Sequence, residues 1–485
     1  MNKQITRTTL VLALATLIGL ASPIFLPAQA RDITITMHLR GVYESKISLL
    51  ALTPSHTFKP ILEVNGVNNG ETTELLVTNN YLPGEFVLRF DYKETAASTP
   101  YPAEKYIFIH DQDLELWVSP IYSNNPDSTY FQPDERENKA FARFSEMNAI
   151  QKEKLGVLQN FLMSYDDTGS DFYREGIKEY EKRREAYNQW LSSRAEQDKS
   201  LFISNLYGFQ YVVQIPWEGN ENDRILSLID HYFDGIDFND SLIIKTSDIN
   251  KWMDNYVNLY GQLVTTVALR DSLFPLAGKT AIEKARQGHP LVYGWMVDYF
   301  YRGYEVNGID AGIKILEPYL DDPDCLTSKR QEIARRLKGI ETLVPGSKAP
   351  EISMTDTQGQ PFDLYKFETT CKYILILFWS ADCEHCATVL ANLHPWQQQP
   401  DVNQKIMVAA ISLDETETEI QAWEKKIVDL KGWKHLLAEE GVRSKVAYDY
   451  YVLATPVMVL LDAKTREIVA MPGTVEELKS LIAGH

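Results

Sequence analysis

The sequence has 485 residues, with 48 basic and 67 acidic side chains and a formal net charge of −19. That sign repels nucleic acid and anionic membrane surfaces, and the length exceeds what one hydrophobic core organises, which predicts several domains. Only four cysteines occur, Cys325, Cys371, Cys383 and Cys386; this is too few for a disulfide-stapled scaffold, so packed cores must hold the chain and the thiols are left for chemistry.

Lys3 and Arg7 open a basic start, an apolar run from Leu10 to Ala21 follows, and Ala28-Gln29-Ala30 gives the small-x-small pattern of a cleavage site. These features predict a signal peptide over residues 1–30, cleaved after Ala30, and an exported mature protein beginning at Arg31. Ser22 and Pro23 interrupt the apolar run, which falls short of the roughly 20 residues of a membrane span. No other segment is long and apolar enough, so no integral membrane segment is expected after signal removal. The leader holds no cysteine, which excludes lipid attachment through an N-terminal cysteine.

Residues 31–135 are dominated by period-two alternation, as in Ile33-Thr34-Ile35-Thr36-Met37-His38-Leu39 and Tyr106-Ile107-Phe108-Ile109, with Pro83-Gly84 breaking two runs. Short strands at this spacing predict an all-β sandwich. From 136 to 343 the periodicity turns helical and densely charged, predicting a helical bundle in which Trp190, Trp252, Trp295, Tyr299 and Phe300 anchor the core. Its last two helices are expected over Asp310–Tyr319 and Ser328–Ile340.

Val344-Pro345-Gly346-Ser347-Lys348-Ala349-Pro350 stops that pattern and opens a third domain, residues 344–485. A turn over Thr355–Gln360 joins two short strands, and Lys372–Trp379 is an apolar run suited to a central buried strand. A helix from near Cys383, a strand over Ile406–Ser412, a helix over Thr416–Leu430, strands over Pro456–Leu461 and Glu467–Ala470 and a helix over Val475–Ile482 complete an α/β thioredoxin fold.

The pair Cys383-Glu384-His385-Cys386 follows the buried strand and opens a helix, the context that makes C-x-x-C a specific signal. Free N–H groups and the positive end of the helix dipole stabilise a thiolate at Cys383, which is therefore the expected nucleophile. Cys386, three residues on, is placed to resolve the mixed disulfide. His385 and Glu384 tune the couple in opposite senses, since an imidazole favours the thiolate and a carboxylate disfavours it. Zinc is the competing use of Cys, His and Cys within four residues, but a structural site needs four ligands and no second close pair is present. Dithiol exchange therefore calls for no metal and no cofactor.

Trp379-Ser380-Ala381-Asp382-Cys383-Glu384-His385-Cys386, the lead-in Gly346–Pro350, the segment Ala409-Ala410-Ile411-Ser412-Leu413-Asp414 and Ala454-Thr455-Pro456-Val457 together resemble the TlpA/ResA-type thioredoxin-like family of the AhpC/TSA-redoxin superfamily, over about 140 residues. The resemblance implies a protein thiol–disulfide oxidoreductase, reductase or isomerase, that is periplasmic and kept reduced by a membrane electron donor. It implies that Pro456 is cis and faces the sulfurs, that Thr455 offers backbone groups to an extended substrate, and that Trp379 packs over the site. Val389 and Ala391 depart from the family's Glu and Pro, so any proton transfer assigned to that acid must fall to Glu384 or His385 or be dispensed with. Residues 31–343 more weakly resemble β-sandwich and helical regions that precede such redox domains in exported proteins of some Gram-negative bacteria.

Two other readings stay open. One is a thiol peroxidase of the peroxiredoxin type, for which Ser380-x-x-Cys383 matches part of the pattern while Ile376 stands where its proline belongs. The other is a non-enzymatic binding or scaffold protein with a vestigial redox domain. Cys325 and Cys371 flank the last domain boundary and either pair as a structural disulfide or remain free.

Overall fold

The computed structural model describes residues 31–53 and 56–483, so the signal peptide expected over 1–30 lies outside the described residues. The chain divides into two compact units, one of Pro60–Glu135 with the chain up to Ala51, the other of Arg136–His485 with Leu52–Lys59.

Among the described residues the first unit is built from eight strands, β1 (Ile33–Leu39), β2 (Glu44–Leu52), β3 (Phe58–Asn68), β4 (Thr72–Val77), β5 (Gly84–Lys93), β6 (Tyr101–Ile109), β7 (Leu114–Val118) and β8 (Tyr130–Phe131). They form two four-stranded sheets, β4-β1-β7-β8 and β3-β2-β5-β6, with β1 and β7 parallel. The alternation in the sequence does what it predicts: Ile33, Ile35, Met37 and Leu39 point into a core shared with Ile47, Leu49, Phe86, Leu88 and Phe90 of the other sheet. Thr34, Thr36 and His38 are left half-exposed.

Nine α-helices follow among the described residues: α1 (Glu137–Ser164), α2 (Asp171–Gln197), α3 (Glu221–Asp230), α4 (Asp248–Gln262), α5 (Val267–Ala285), α6 (Pro290–Val306), α7 (Asp310–Lys314), α8 (Glu317–Leu320) and α9 (Arg330–Thr342). The helix expected over Asp310–Tyr319 is in fact two short pieces, because Pro318 has no N–H to continue the ladder across the break at Ile315 and Leu316. Trp252, Trp295 and Phe300 are buried, and Trp190 stacks on Phe144 at 5.5 Å between ring centroids while remaining half-exposed. Asp298, buried on α6, accepts hydrogen bonds from Thr327 and from the backbone and hydroxyl of Ser328, fixing the approach to α9. Among the described residues no helix is long and apolar enough to cross a membrane.

The C-terminal region adds β9 (Ser353–Thr355), β10 (Pro361–Asp363), β11 (Tyr373–Trp379), α10 (Glu384–Gln397), α11 (Pro400–Asn403), β12 (Ile406–Ser412), α12 (Glu417–Ile427), β13 (Lys434–Leu437), α13 (Lys445–Asp449), β14 (Val457–Asp462), β15 (Ile468–Ala470) and α14 (Val475–Ala483). Its main sheet has the order β13-β12-β11-β14-β15, parallel from β13 to β11 and antiparallel beyond. Every residue of β11 is buried, and alternate ones enter different cores. Ile374, Ile376 and Phe378 join Leu343, Tyr450 and Val452 on one face. Tyr373, Leu375, Leu377 and Trp379 join Cys386 and the apolar sides of α10, α12 and α14 on the other.

Two links tie α9 to this region. The Arg335 guanidinium donates to the carbonyls of Ala447 (2.9 Å) and Val452 (3.3 Å) and lies over the Tyr448 ring at 4.9 Å. Gly339 presents bare backbone to Tyr451: a Cβ there would sit 2.8 Å from the Tyr451 Cβ.

Candidate active site

The central strand β11 ends at Trp379, the chain turns through Ser380–Asp382, and α10 starts with Cys383 as its N-cap. The Cys383 sulfur accepts from the backbone N–H of Cys386 at 3.1 Å. A cap position is where a helix offers unpaired donors, so a sulfur placed there is held among the groups that favour its anion. Cys383 and Cys386 form a disulfide with a Cα–Cα distance of 5.1 Å. The two sulfurs differ in access: Cys383 is half-buried whereas Cys386 is 1 % exposed.

The turn before β14 comes up against this pair. The Thr455–Pro456 peptide is cis, and the Thr455 carbonyl oxygen lies 3.4 Å from the Cys383 sulfur. The Thr455 hydroxyl reaches that of Ser380 at 3.5 Å, tying the same turn to the one that precedes the disulfide. Glu384 and His385 stand exposed on the first turn of α10. Trp379 is fully buried in the core cluster that contains Cys386. Val389 and Ala391, where the resemblance leads one to expect Glu and Pro, lie further along α10.

One constellation at the site is not apparent from motif spacing. Asp414, just past the end of β12, is 2 % exposed, and its two carboxylate oxygens accept from the Ala381 N–H at 2.9 and 3.0 Å. The Ser412 hydroxyl donates to the same carboxylate at 2.6 Å. Burial pushes this carboxyl above the usual carboxylate range, Glu419 and Asp382 adding to the effect while the bonds from Ser412 and Ala381 oppose it. The Lys426 ammonium donates to the Ala381 carbonyl. Ala381 is thus gripped from both sides, two residues before Cys383. The sequence signal for Asp414 is an acid two residues past an apolar strand, at the head of an acid-rich stretch; what it touches, 33 positions away, is not readable from spacing.

Cys325 and Cys371 are free. Cys325 is buried, which raises its thiol, and Cys371 lies 3.5 Å from the Asn403 carbonyl, so the structure does not contain the disulfide weighed for them. Of the upstream histidines, His38 bonds Thr72 and Glu115 and stacks on Trp117, and His289 caps α6 through Leu291 N–H. Among the described residues no group of three or more His, Cys, Asp or Glu is arranged to hold a metal ion.

The thioredoxin-like family matches residues 371–468. Three solved structures are similar to parts of the chain. A thioredoxin-like protein from Bacteroides caccae is 19 % identical, covering 56 % of this chain and 98 % of that one, with a TM-score of 0.39. A thiol-disulfide oxidoreductase from Bacteroides fragilis is 25 % identical, covering 28 % and 98 %, with a TM-score of 0.26. A thiol:disulfide interchange protein from Bacteroides sp. is 26 % identical, covering 30 % and 90 %, with a TM-score of 0.25. No curated protein matches the chain. Strand order, the disulfide at the start of α10 and the family match over 371–468 together make the C-terminal region of this chain a thioredoxin-like α/β domain.

Proposed function

We propose that the protein is an exported, periplasmic thiol–disulfide oxidoreductase that exchanges disulfides with partner proteins, as a reductase or isomerase. The observation that carries this reading is the bonded Cys383–Cys386 pair at the head of α10, with the more accessible sulfur against the Thr455 carbonyl. In the reduced protein Cys383 acts as the thiolate nucleophile. It attacks one sulfur of a partner disulfide, the other partner sulfur leaves as thiolate and takes a proton, and a mixed disulfide forms. Cys386, having lost its proton, then attacks the Cys383 sulfur; the pair closes and the partner leaves with both thiols. Two electrons pass to the partner, so a membrane electron donor must return them for the next cycle.

In this reading Thr455 and Pro456 face the substrate, and the Thr455 carbonyl beside Cys383 is the natural place for an extended partner segment to pair. Trp379, Glu384 and His385 tune the couple. Residues 31–343 precede the redox domain, 344–485, and recruit or orient substrate, and the leader over 1–30 directs export.

The test is a redox titration of the 383/386 couple against glutathione together with insulin reduction by the purified mature protein. Turnover of insulin with loss of activity in Cys383→Ser supports the reading. Consumption of peroxide without dithiol exchange points instead to a peroxidase, and absence of both, with a phenotype that follows deletion of 31–340 but not Cys383→Ser, points to a scaffold.

A further inference from the structure

We infer that Asp414 is a positioning residue for the disulfide couple: its carboxylate clamps the turn that carries Cys383 and places a negative charge that disfavours the Cys383 thiolate. This rests on the reading of Cys383 and Cys386 as a working dithiol. The clamp is made by both carboxylate oxygens on the one Ala381 N–H, with the Ser412 hydroxyl as a second donor. The opposite edge of the same peptide is held by the Lys426 ammonium on the Ala381 carbonyl. A buried anion and an exposed cation therefore meet at a single residue, joined to the nucleophile through Asp382 and through the Cys383 N–H that donates to the Ser380 carbonyl at 3.4 Å.

The sign follows from the charges. When a partner dithiol reduces the pair, the partner's two thiols become a disulfide, Cys383 becomes a thiolate, Cys386 a thiol, and one proton is released. Two electrons have moved, and one new negative charge has appeared near Asp414. Like charges repel more strongly where water is excluded, so an ionised Asp414 opposes that charge and makes the pair a weaker oxidant, while Lys426 acts the other way. Two further charges act on the carboxyl, Asp382 on the turn and Glu419 on α12, both of the same sign as Asp414. Glu415, adjacent in sequence, is paired with Arg443 at 2.8 Å.

The test uses charge-removing variants that preserve shape. In Asp414→Asn the side-chain oxygen still accepts from Ala381, and the new amide meets Ser412, whose hydroxyl can accept. The Cys383 thiol of the reduced protein, followed by iodoacetamide alkylation across pH, should ionise at lower pH, with thiolate at neutral pH raised roughly tenfold for a unit charge in partly buried surroundings. The equilibrium against glutathione should move in the oxidising direction. Lys426→Met should shift both readouts the other way and by less, because this lysine is exposed. A residue that merely stabilises the fold would move both variants in the same direction or move neither. Superimposable alkylation profiles for Asp414→Asn and wild type, or shifts of one sign in both variants, overturn the inference. If Asp414→Asn fails to fold, the sign in Lys426→Met decides, a fall in the Cys383 ionisation pH refuting the proposed field. Alkylation is measured after chemical reduction, so failure of wild-type protein to exchange with any partner disproves the functional reading and leaves this test intact.

Discussion

Replacing Arg335 by alanine should loosen the stretch that leads into Thr455 and Pro456 while leaving the far face of the sheet undisturbed. The guanidinium makes two bonds to main-chain carbonyls, at 2.9 and 3.3 Å, and covers the Tyr448 ring. A hydrogen bond with a charged partner contributes about 1.5–3 kcal/mol and an exposed cation–π contact about 0.5–1 kcal/mol. The second bond is long, Tyr448 is exposed, and Ala447 keeps a bond from Val452 N–H at 2.9 Å. A net loss of about 2–3 kcal/mol is therefore expected, a rise of roughly 30- to 140-fold in local opening at 1.4 kcal/mol per decade. Hydrogen–deuterium exchange is the assay, since it reports opening of a segment without global unfolding. Peptides covering 447–453 should exchange faster by about that factor, those covering α14 should not change, and Arg335→Lys should recover part of the protection. Equal exchange in wild type and Arg335→Ala over 447–453 would refute the view that α9 holds this stretch in place.

Three further outcomes can be checked. Cys386→Ser keeps the nucleophile but removes the resolver, so mixed disulfides with partner proteins should accumulate on non-reducing gels, and a doubly substituted Cys383→Ser, Cys386→Ser protein should form none. Gly339→Ala drives a methyl to within 2.8 Å of the Tyr451 Cβ and 3.0 Å of its Cγ, which should lower stability by about 1–3 kcal/mol in urea unfolding; an unchanged midpoint would mean that α9 can slide. His435, buried on β13, has its Nε2 at 2.8 Å from the Leu430 carbonyl, and burial lowers its pKa. Its folded form resists the proton that the unfolded chain takes up near pH 6.5, so stability should be fully present above that pH and be lost as pH falls below it. Urea midpoints measured from pH 7.5 to 5 should show a shallower decline in His435→Gln, and an identical decline would discharge His435 from the effect.

Much of the redox domain was legible because its local chemistry and its global fold agree. Tyr373–Trp379 is apolar throughout and buried on both faces, and Thr416 with Glu419 forms a capping box at the start of α12. The position of Cys383 after a buried strand predicts a helix start, and Cys383 is the N-cap of α10. Other features stayed hidden for reasons equally physical. β13 is four residues long at a sheet edge and contains Lys434 and His435, whose burial as a neutral ring no periodicity reveals. α13 is a single short turn stabilised by Ser444 at its cap and by Arg335, 112 positions away from the carbonyl it grips. The split between α7 and α8 turns on one proline inside an otherwise helical stretch. Asp414 could be seen as part of a family-like segment, but its partners lie on a different turn, and only the folded chain brings them together.

The alternation of β11 has an evolutionary reach. Because successive residues of one strand supply opposite cores, the sulfurs and the end of α9 at Leu343 border different compartments, with a hydrogen-bonded wall between them. Mutations that refit Leu343 to a new neighbour can accumulate on one side while Cys386 keeps its surroundings on the other. Chains descended from this one can thereby exchange the regions that precede residue 344 while the core around Cys386 stays as it is.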